Sequence, residues 1–497
     1  MNRLSLYGVI LFTVLSFLLP ACDGLDDNYS TNTSHRLNFS VDTLSFDTIF
    51  SSIGSTTRQF MIYNKNSEPL NIERIELAST GQTGFRMNVD GRKGERFENV
   101  GIQGKDSMYV FVEVTVDPNG TNQPLLIQDS VLFTFNGNQQ RVLLEAYGQD
   151  VNLYKQGVEF SEDILLSADR PYLIYNQMVI APDVTVNIAE GATFYMHDKA
   201  NIIVRGTMVA KGSRKQPITF RGDRLDKIIE DLPYDRAPAQ WGGIFFEPNS
   251  YNNEMDWVNV RNGKTGITCL TANPETPKLS LTNSLVTNMD GNVLTARNCD
   301  IKVINTELSN ARDTLVVLKG GKYSFTHSTL ANYMTMYTRI DSTYTLHFSN
   351  ILTKGVYLPI SAGFDNCIID GNHAARETLD DLKGEIMIER SEVVSFDYYF
   401  NHCVLKTLEK DNPNYTDVIL VPEPTRNIYK MFRMTGGREN QYAYDFQLDA
   451  DTIVGVGAAD PEIAALYPFD LRGFSRTVSP KAPTIGAYEF VEKEEED

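Results

Sequence analysis

Apolar and polar residues alternate in short runs over residues 36–150, which is the two-residue period of a half-buried β-strand. Phe60–Tyr63 and Met108–Val114 are two such runs, and turn-forming segments such as 117–120 and 136–138 separate the runs. Short strands at regular intervals between such turns predict a β-sandwich over residues 36–150.

A different repeat follows from about residue 151. Asn288, Asn310 and Asn332 recur at intervals of 22 residues, and another polar residue lies five positions ahead of each. A β-rich repeat of about 20–25 residues predicts a solenoid, in which one repeat makes one coil of a parallel β-helix. Asparagine suits tight turns between coils because it tolerates the left-handed backbone and its amide can bond to the coil above. We therefore predict a structural turn ladder rather than a metal site, formed by Asn283, Asn305, His327, Asn350, Asn366 and His402.

The start of the chain has the pattern of an export signal. Arg3 precedes the apolar stretch Leu4–Leu18, and the small residue Ala21 precedes Cys22. A cysteine at this position resembles the bacterial lipobox, in which the thiol is diacylated and becomes the first residue of the mature chain. The resemblance implies a signal peptide over 1–21, a lipidated Cys22 and a tether over 22–35. The alternative is an ordinary signal peptide with a chance cysteine.

Acidic residues follow this cysteine, namely Asp23, Asp26 and Asp27. In Bacteroidota, acidic residues at these positions resemble the export signal that directs lipoproteins to the outer face of the outer membrane. In enterobacteria, Asp23 alone would instead favour retention at the inner membrane. We expect a lipid anchor in the outer membrane and a chain that faces the cell exterior.

Two further segments carry family resemblances. The run 172–246, which includes Val184–Ala192, Ile203–Met208 and Trp241–Ile244, resembles the opening coils of right-handed parallel β-helix lipoproteins of Bacteroidota. The run 44–72 resembles immunoglobulin-like domains of the ASH or major-sperm-protein type, which act as spacers or interaction modules. These resemblances imply an all-β chain with an immunoglobulin-like sandwich over 36–150, a β-helix over 151–406, irregular coils and a cap over 407–490, and an acidic tail over 491–497.

Composition narrows the classes of partner. The 497 residues carry a net charge of −19, and such a surface repels phosphate backbones, so we exclude nucleic acid as a partner. No second apolar run has the roughly 18 residues that a bilayer span needs, which makes the lipid the expected anchor. The sequence leaves both disulfides and buried thiols open for four cysteines, with buried thiols favoured: Cys269, Cys299, Cys367 and Cys403.

The charged residues do not form a cluster that is typical of enzymes with a β-helix fold. A galacturonase-like hydrolase needs clustered aspartates near a Gly-His-Gly run, and the chain has no such run. Arg339 with Asp341, and His373 with Arg376, are isolated pairs without a supporting motif. We therefore assign no catalytic residue, cofactor or metal.

The insert between residues 222 and 241 is rich in both signs of charge. We expect salt bridges rather than a Ca²⁺ site, because Arg224 and Arg236 are interleaved with the aspartates Asp223, Asp226 and Asp235. Trp241 follows the insert, and we expect it to pack in the first coils, with a sugar platform as the alternative.

These observations favour a non-enzymatic structural or interaction scaffold whose partner is a polysaccharide or an outer-membrane protein. A polysaccharide lyase or hydrolase, and an accessory subunit of an outer-membrane complex, remain the alternatives. Asp-Ser/Thr followed by an apolar residue also resembles the O-glycosylation sequence of exported Bacteroidota proteins. The resemblance makes candidates of Thr43, Thr48, Ser107, Ser130, Thr314 and Thr452.

Overall fold

The computed structural model describes residues 29–120, 123–229, 232–378, 381–426, 428–477 and 482–492. Cys22 and the acidic residues Asp23, Asp26 and Asp27 lie outside these ranges. Contacts divide the chain into two units between Asp150 and Val151. The fold is all-β: the described residues contain a single short α-helix, α1 (Pro461–Leu466), whose first turn is capped by the carboxylate of Asp460.

The first unit is built from two five-stranded sheets, with strand orders β1-β3-β8-β5-β6 and β2-β10-β9-β4-β7. Its strands are β1 (Asn38–Phe39), β2 (Thr43–Phe50), β3 (Arg58–Tyr63), β4 (Leu70–Leu77), β5 (Phe85–Val89), β6 (Arg92–Gly94), β7 (Arg96–Ile102), β8 (Ser107–Val114), β9 (Leu125–Phe135) and β10 (Asn138–Gln149).

Alternation along the strands gives this unit its core. On β8, Val110, Val112 and Val114 are buried, whereas Ser107 and Tyr109 on the opposite face are exposed. Buried side chains from both sheets join in one hydrophobic cluster, as in a β-sandwich.

The second unit contains the remaining strands in two large parallel sheets and several two-stranded hairpins. They are β11 (Asn152–Tyr154), β12 (Val158–Phe160), β13 (Ile164–Leu166), β14 (Tyr172–Ile174), β15 (Gln177–Ile180), β16 (Thr185–Ile188), β17 (Thr193–Met196), β18 (Asn201–Val204), β19 (Thr207–Lys211), β20 (Ile218–Gly222), β21 (Lys227–Ile229), β22 (Leu232–Pro233), β23 (Gly243–Phe246), β24 (Asn253–Asp256), β25 (Val258–Arg261), β26 (Ile267–Cys269), β27 (Pro277–Thr282), β28 (Leu285–Met289), β29 (Leu294–Ile304), β30 (Glu307–Ala311), β31 (Val316–Thr326), β32 (Thr329–Asn332), β33 (Leu346–Ser349), β34 (Ile351–Thr353), β35 (Val356–Tyr357), β36 (Ile360–Asp365), β37 (Ile368–Gly371), β38 (Arg376–Thr378), β39 (Asp381–Lys383), β40 (Ile386–Glu389), β41 (Phe396–Asn401), β42 (Val404–Leu405), β43 (Tyr415–Thr416), β44 (Ile419–Leu420), β45 (Phe432–Thr435) and β46 (Tyr444–Leu448).

Strand pairing resolves the two parallel sheets into three ladders. The first ladder is the 11-stranded sheet, β11-β14-β17-β20-β25-β28-β30-β32-β37-β42-β44. The 17-stranded sheet holds a second ladder, which begins β12-β15-β18-β23, and a third, which begins β13-β16-β19-β24. The long strands β29 and β31 contribute their first halves to the second ladder and their second halves to the third. Along most of the chain, successive strands join the first, second and third ladders in rotation.

The core of the second unit is a stack of like side chains between paired strands. Phe194 lies between Tyr172 and Phe220 on the first ladder, with ring centroids 4.7 Å apart in each pair. Alternate residues of a strand face the same side, and most of the inward positions on these strands are apolar. The resulting cluster runs from Leu166 to Leu405.

The C-terminal segment does not form a simple cap on the last strands. β43 and β44 continue the third and first ladders, but residues beyond them lie along the outer face of the first ladder. The Gly486 N–H donates to the Asn366 carbonyl (2.9 Å), and the Arg476 guanidinium donates to Asn305 Oδ1 (2.9 Å). Part of the segment 407–490, where a cap is expected, therefore covers strand faces along the first ladder, and the cap itself stays a prediction.

Within the described ranges, no helix is long and apolar enough to cross a membrane.

Candidate functional site

Five of the six predicted ladder residues lie at one corner, between a strand of the third ladder and a strand of the first. All five have a left-handed backbone, with φ between 46° and 53°: Asn283, Asn305, His327, Asn366 and His402. Asn305 Nδ2 donates to Asn283 Oδ1 across 2.7 Å, and Asn366 Nδ2 lies 3.0 Å from His327 Nε2. Burial and the nearby Arg476 charge lower the pKa of His327, so the ring is neutral at this corner.

Asn350 does not belong to this corner, which corrects its place in the predicted series. It follows β33 of the second ladder, and its side chain bonds to the backbone of Ser391 instead (2.7 Å). The segment 333–345 lengthens the chain before Asn350 and interrupts the 22-residue interval. The spacing of Asn350 therefore does not predict a place at this corner.

A different corner, between the first and second ladders, gathers side chains with functional potential. Tyr175, His197 and Asp223 come directly after β14, β17 and β20. Their preceding residues pair in register, so the three side chains occupy equivalent positions on successive strands. Asn176 and Asp198 follow with left-handed backbones and turn the chain towards the second ladder.

The three side chains form a connected group. The rings of Tyr175 and His197 are stacked, with centroids 4.0 Å apart and planes inclined by 27°. His197 Nδ1 lies 2.6 Å from Asp223 Oδ2, and the His197 side chain is 43% exposed while that of Asp223 is 13% exposed. Burial raises the pKa of Asp223, and its hydrogen bond to His197 opposes that rise. The carboxylate therefore fixes the imidazole and leaves Nε2 as the ring nitrogen available to a ligand.

A recess of about 430 Å³ lies at this corner, and we call it the corner recess. Two aromatic rings, three side-chain amides, a carboxylate and an ammonium group are among its lining groups, which come from Tyr175, Asn176, Gln177, His197, Asp198, Lys199, Ala200 and Asn201. Such a combination suits a ligand that has both an apolar face and many hydroxyl groups.

The charged insert beside the corner recess is held by ion pairs. Asp235 accepts from Arg261 (2.8 Å) and lies 3.2 Å from Arg221. Arg224 makes two bonds of 2.7 Å to the carboxylate of Asp226. Asp223 pairs with His197, a partner that the sequence analysis did not identify. No group of three or more potential metal ligands occurs in the described part of the chain.

Trp241, Arg339 and His373 are each engaged in contacts within the second unit. The Trp241 indole is fully buried and donates to the Arg261 carbonyl (2.8 Å), so the sugar-platform alternative is wrong. Arg339 is paired with buried Glu385 at 2.9 Å rather than with Asp341. The His373 N–H also donates to Glu385 (2.8 Å). Arg339 and Glu385 are buried in this polar network, whereas His373 is half-buried.

The four cysteines of the second unit are free and buried in the structure. Cys367 and Cys403 follow Asn366 and His402 at the same corner, where the Cys367 N–H donates to Cys403 Sγ (3.4 Å). Burial raises the pKa of the Cys299 thiol to about 11, so this thiol is protonated and unreactive at neutral pH.

The candidate glycosylation residues differ in access. Thr43, Ser107 and Thr452 are exposed, and Thr48 is half-buried. Ser130 and Thr314 are only 8% and 7% exposed, so a transferase cannot reach them in the folded chain. These two residues are therefore the least accessible of the six candidates.

Comparisons with known proteins give limited information. No family model matches the chain. Protein bark beetle of Drosophila melanogaster is 32% identical over 124 residues, which is 23% of this chain and 4% of that protein. This chain therefore spans a very small part of that relative.

Among solved structures, the catalytic domain of a GH87 alpha-1,3-glucanase in complex with tetrasaccharides is 10% identical, with a TM-score of 0.20 over 73% of this chain and 86% of that chain. The E. coli chaperone DraB is 11% identical, with a TM-score of 0.17 over 23% of this chain and 55% of that chain. Likeness at these TM-scores supports no conclusion about fold or activity.

Proposed function

We propose that residues 151–406 form a right-handed parallel β-helix that follows an immunoglobulin-like β-sandwich, in the manner of Bacteroidota surface lipoproteins. The rotation of successive strands among three parallel ladders supports this architecture, because a chain that visits three faces in a fixed order winds as a helix. The left-handed corner residues at coil-length intervals support it further.

We propose that the protein is anchored through a lipidated Cys22 at the outer face of the outer membrane and binds a polysaccharide without cleaving it. The observation that carries the binding role is the stacked Tyr175–His197 pair in the corner recess. A sugar ring has an apolar face that packs on an aromatic ring, and its hydroxyl groups bond to amides and carboxylates. Asn176 and Asn201 supply such amides beside the rings.

Polysaccharide binding is tested by affinity electrophoresis of the full chain in gels that contain dextran, laminarin, arabinoxylan or polygalacturonate. At least one polysaccharide is expected to retard the wild type, and Tyr175→Ala is expected to abolish that retardation. Tyr337→Ala is the matched control, because Tyr337 is a 42% exposed tyrosine of the same unit outside the recess. Equal retardation of wild type and Tyr175→Ala would refute the assignment.

Anchoring is tested separately by treating intact cells of the native host with protease. The protease is expected to digest the wild-type protein. Cys22→Ala lacks the lipid anchor and is expected to be absent from the membrane fraction. Replacement of Asp23, Asp26 and Asp27 by alanine is expected to protect the chain by retaining it inside the outer membrane. Protection of the wild type would contradict surface exposure.

The His197–Asp223 pair favours one alternative, a polysaccharide hydrolase or lyase. A carboxylate-held imidazole is a common general base, and Nε2 is its available nitrogen. A hydrolase would produce new reducing ends, and a lyase unsaturated products, from a polysaccharide that retards the protein. His197→Ala would produce neither. Retention without products would favour the binding role.

A further inference from the structure

A second recess, of about 600 Å³, lies on the outer face of the first sheet of the N-terminal unit. Phe111, Asn88 and Lys93 are side by side on β8, β5 and β6, because Asn88 pairs with both of the other residues. Arg86 and Glu113 form the next row on the same face. Three neighbouring strands therefore supply one continuous floor, which we call the sheet recess.

The side-chain carbonyl of Asn88 is an unpaired acceptor on this floor, within the part of the chain that the structure describes. Its Oδ1 atom is buried and has no hydrogen-bond donor in the part of the chain that the structure describes. A buried acceptor without a donor is unfavourable, and native proteins rarely keep one without a reason. In the present rotamer this atom is inaccessible to water, so a ligand hydroxyl would satisfy it only after the Asn88 side chain turns towards the recess.

Phe111 gives the floor an apolar surface next to this acceptor. Its ring is half-buried and is stacked with Tyr109 at 5.9 Å, with planes inclined by 27°. The stacking holds the ring in place on a rigid strand, and a preorganised ring loses little entropy when a ligand packs on it.

The charges around the sheet recess cancel. Arg86 and Lys93 face Glu95 and Glu113 among its lining residues. Glu113 already accepts from Thr57 Oγ1 (2.6 Å), and Arg86 donates to the hydroxyl of Thr115 (2.8 Å). A lining of two cations and two anions has no preference for a charged ligand, which favours a neutral one.

We propose that the sheet recess binds a neutral sugar residue of a glycan, which packs on Phe111 and, once the Asn88 side chain turns towards the recess, donates one hydroxyl hydrogen to Asn88 Oδ1. The N-terminal unit is then a carbohydrate-binding module as well as a spacer. The inference does not depend on the corner recess of the second unit, because the two sites share no residue.

The test is a ligand-observed NMR titration of the full chain with maltotriose, cellotriose, laminaritriose and xylotriose. One or more of these neutral trisaccharides is expected to bind. Asn88→Leu and Phe111→Ala are each expected to weaken that binding at least about tenfold, because each removes one of the two proposed contacts. Gln59→Ala is the matched control, since Gln59 is exposed, pairs with Phe111 and lies outside the recess.

Thermal unfolding distinguishes a ligand contact from a structural role. Asn88→Leu is expected to unfold at the same temperature as the wild type or higher, because it removes an unpaired buried acceptor. The proposal is overturned if no trisaccharide binds, or if Asn88→Leu and Phe111→Ala bind like the wild type. If Tyr175→Ala loses binding and Asn88→Leu keeps it, the trisaccharide binds in the corner recess and not in the sheet recess.

Discussion

Arg476 is the residue whose removal should most weaken the attachment of the C-terminal segment. Its side chain is fully buried and pairs with Glu489 at 2.8 Å. It also donates to Asn305 Oδ1 (2.9 Å) and to the Gly486 carbonyl (3.2 Å). Burial lowers the pKa of Arg476 and raises that of Glu489, so each charge depends on the other.

Arg476→Ala would leave the Glu489 carboxylate buried without its partner. Breaking a buried pair in this way costs about 3–5 kcal/mol. If the segment opens locally, backbone amides of residues 484–490 should exchange with solvent about 10²- to 10³-fold faster, since about 1.4 kcal/mol corresponds to a factor of ten.

Hydrogen exchange measured by mass spectrometry resolves this segment from the rest of the unit. Arg426→Ala is the control, because the Arg426–Glu423 pair is exposed at 68% and 52% and has a similar length of 3.0 Å. An exposed pair contributes about 0–1 kcal/mol, so the control should leave exchange of residues 484–490 unchanged. A change of less than about tenfold in Arg476→Ala would refute the attachment.

Three further predictions follow from particular residues. Asn305→Ala should lower the free energy of unfolding by about 1–2 kcal/mol, because alanine is strained at a φ of 49°. Thermal unfolding measures this loss of stability, and an unchanged midpoint would contradict the prediction. Burial and the Asp365 carboxylate raise the pKa of Tyr399 from 10.0 to about 12, so the stability that this group contributes below pH 10 should be lost as pH rises from about 10 through 12. The free energy of unfolding should therefore fall more steeply over this range in the wild type than in Tyr399→Phe, and equal slopes in chemical unfolding would exclude this effect. Glycopeptide mapping of protein from the native host should find a glycan at Thr43 and never at buried Ser130, and a modified Ser130 would show that glycosylation precedes folding.

Hydrophobic periodicity was sufficient to predict an all-β chain, because side-chain alternation is set by the strand itself. The 22-residue spacing of Asn283 and Asn305 likewise indicated parallel pairing, since equivalent residues on successive strands must stack in register. The winding and handedness of the coils stay predictions.

The corner recess was missed although its residues carry the same signal. Tyr175 and His197 are 22 residues apart, and Asp223 follows 26 residues later, but the residues differ in type and do not form an obvious series. The lateral position of the C-terminal segment could not be predicted, because contacts such as Arg476 with Asn305 join residues that no local pattern relates. Trp241 shows the same limit, because its burial depends on the strands that pack around it.

The most direct test of the proposed binding role is a crystal structure of the chain with a hexasaccharide of the retained polysaccharide. We expect an intact sugar ring packed on the free face of Tyr175 or His197 at about 4–5 Å, with hydroxyl groups bonded to Asn176 or Asn201. An ordered hexasaccharide elsewhere on the second unit, with the corner recess empty, would contradict it.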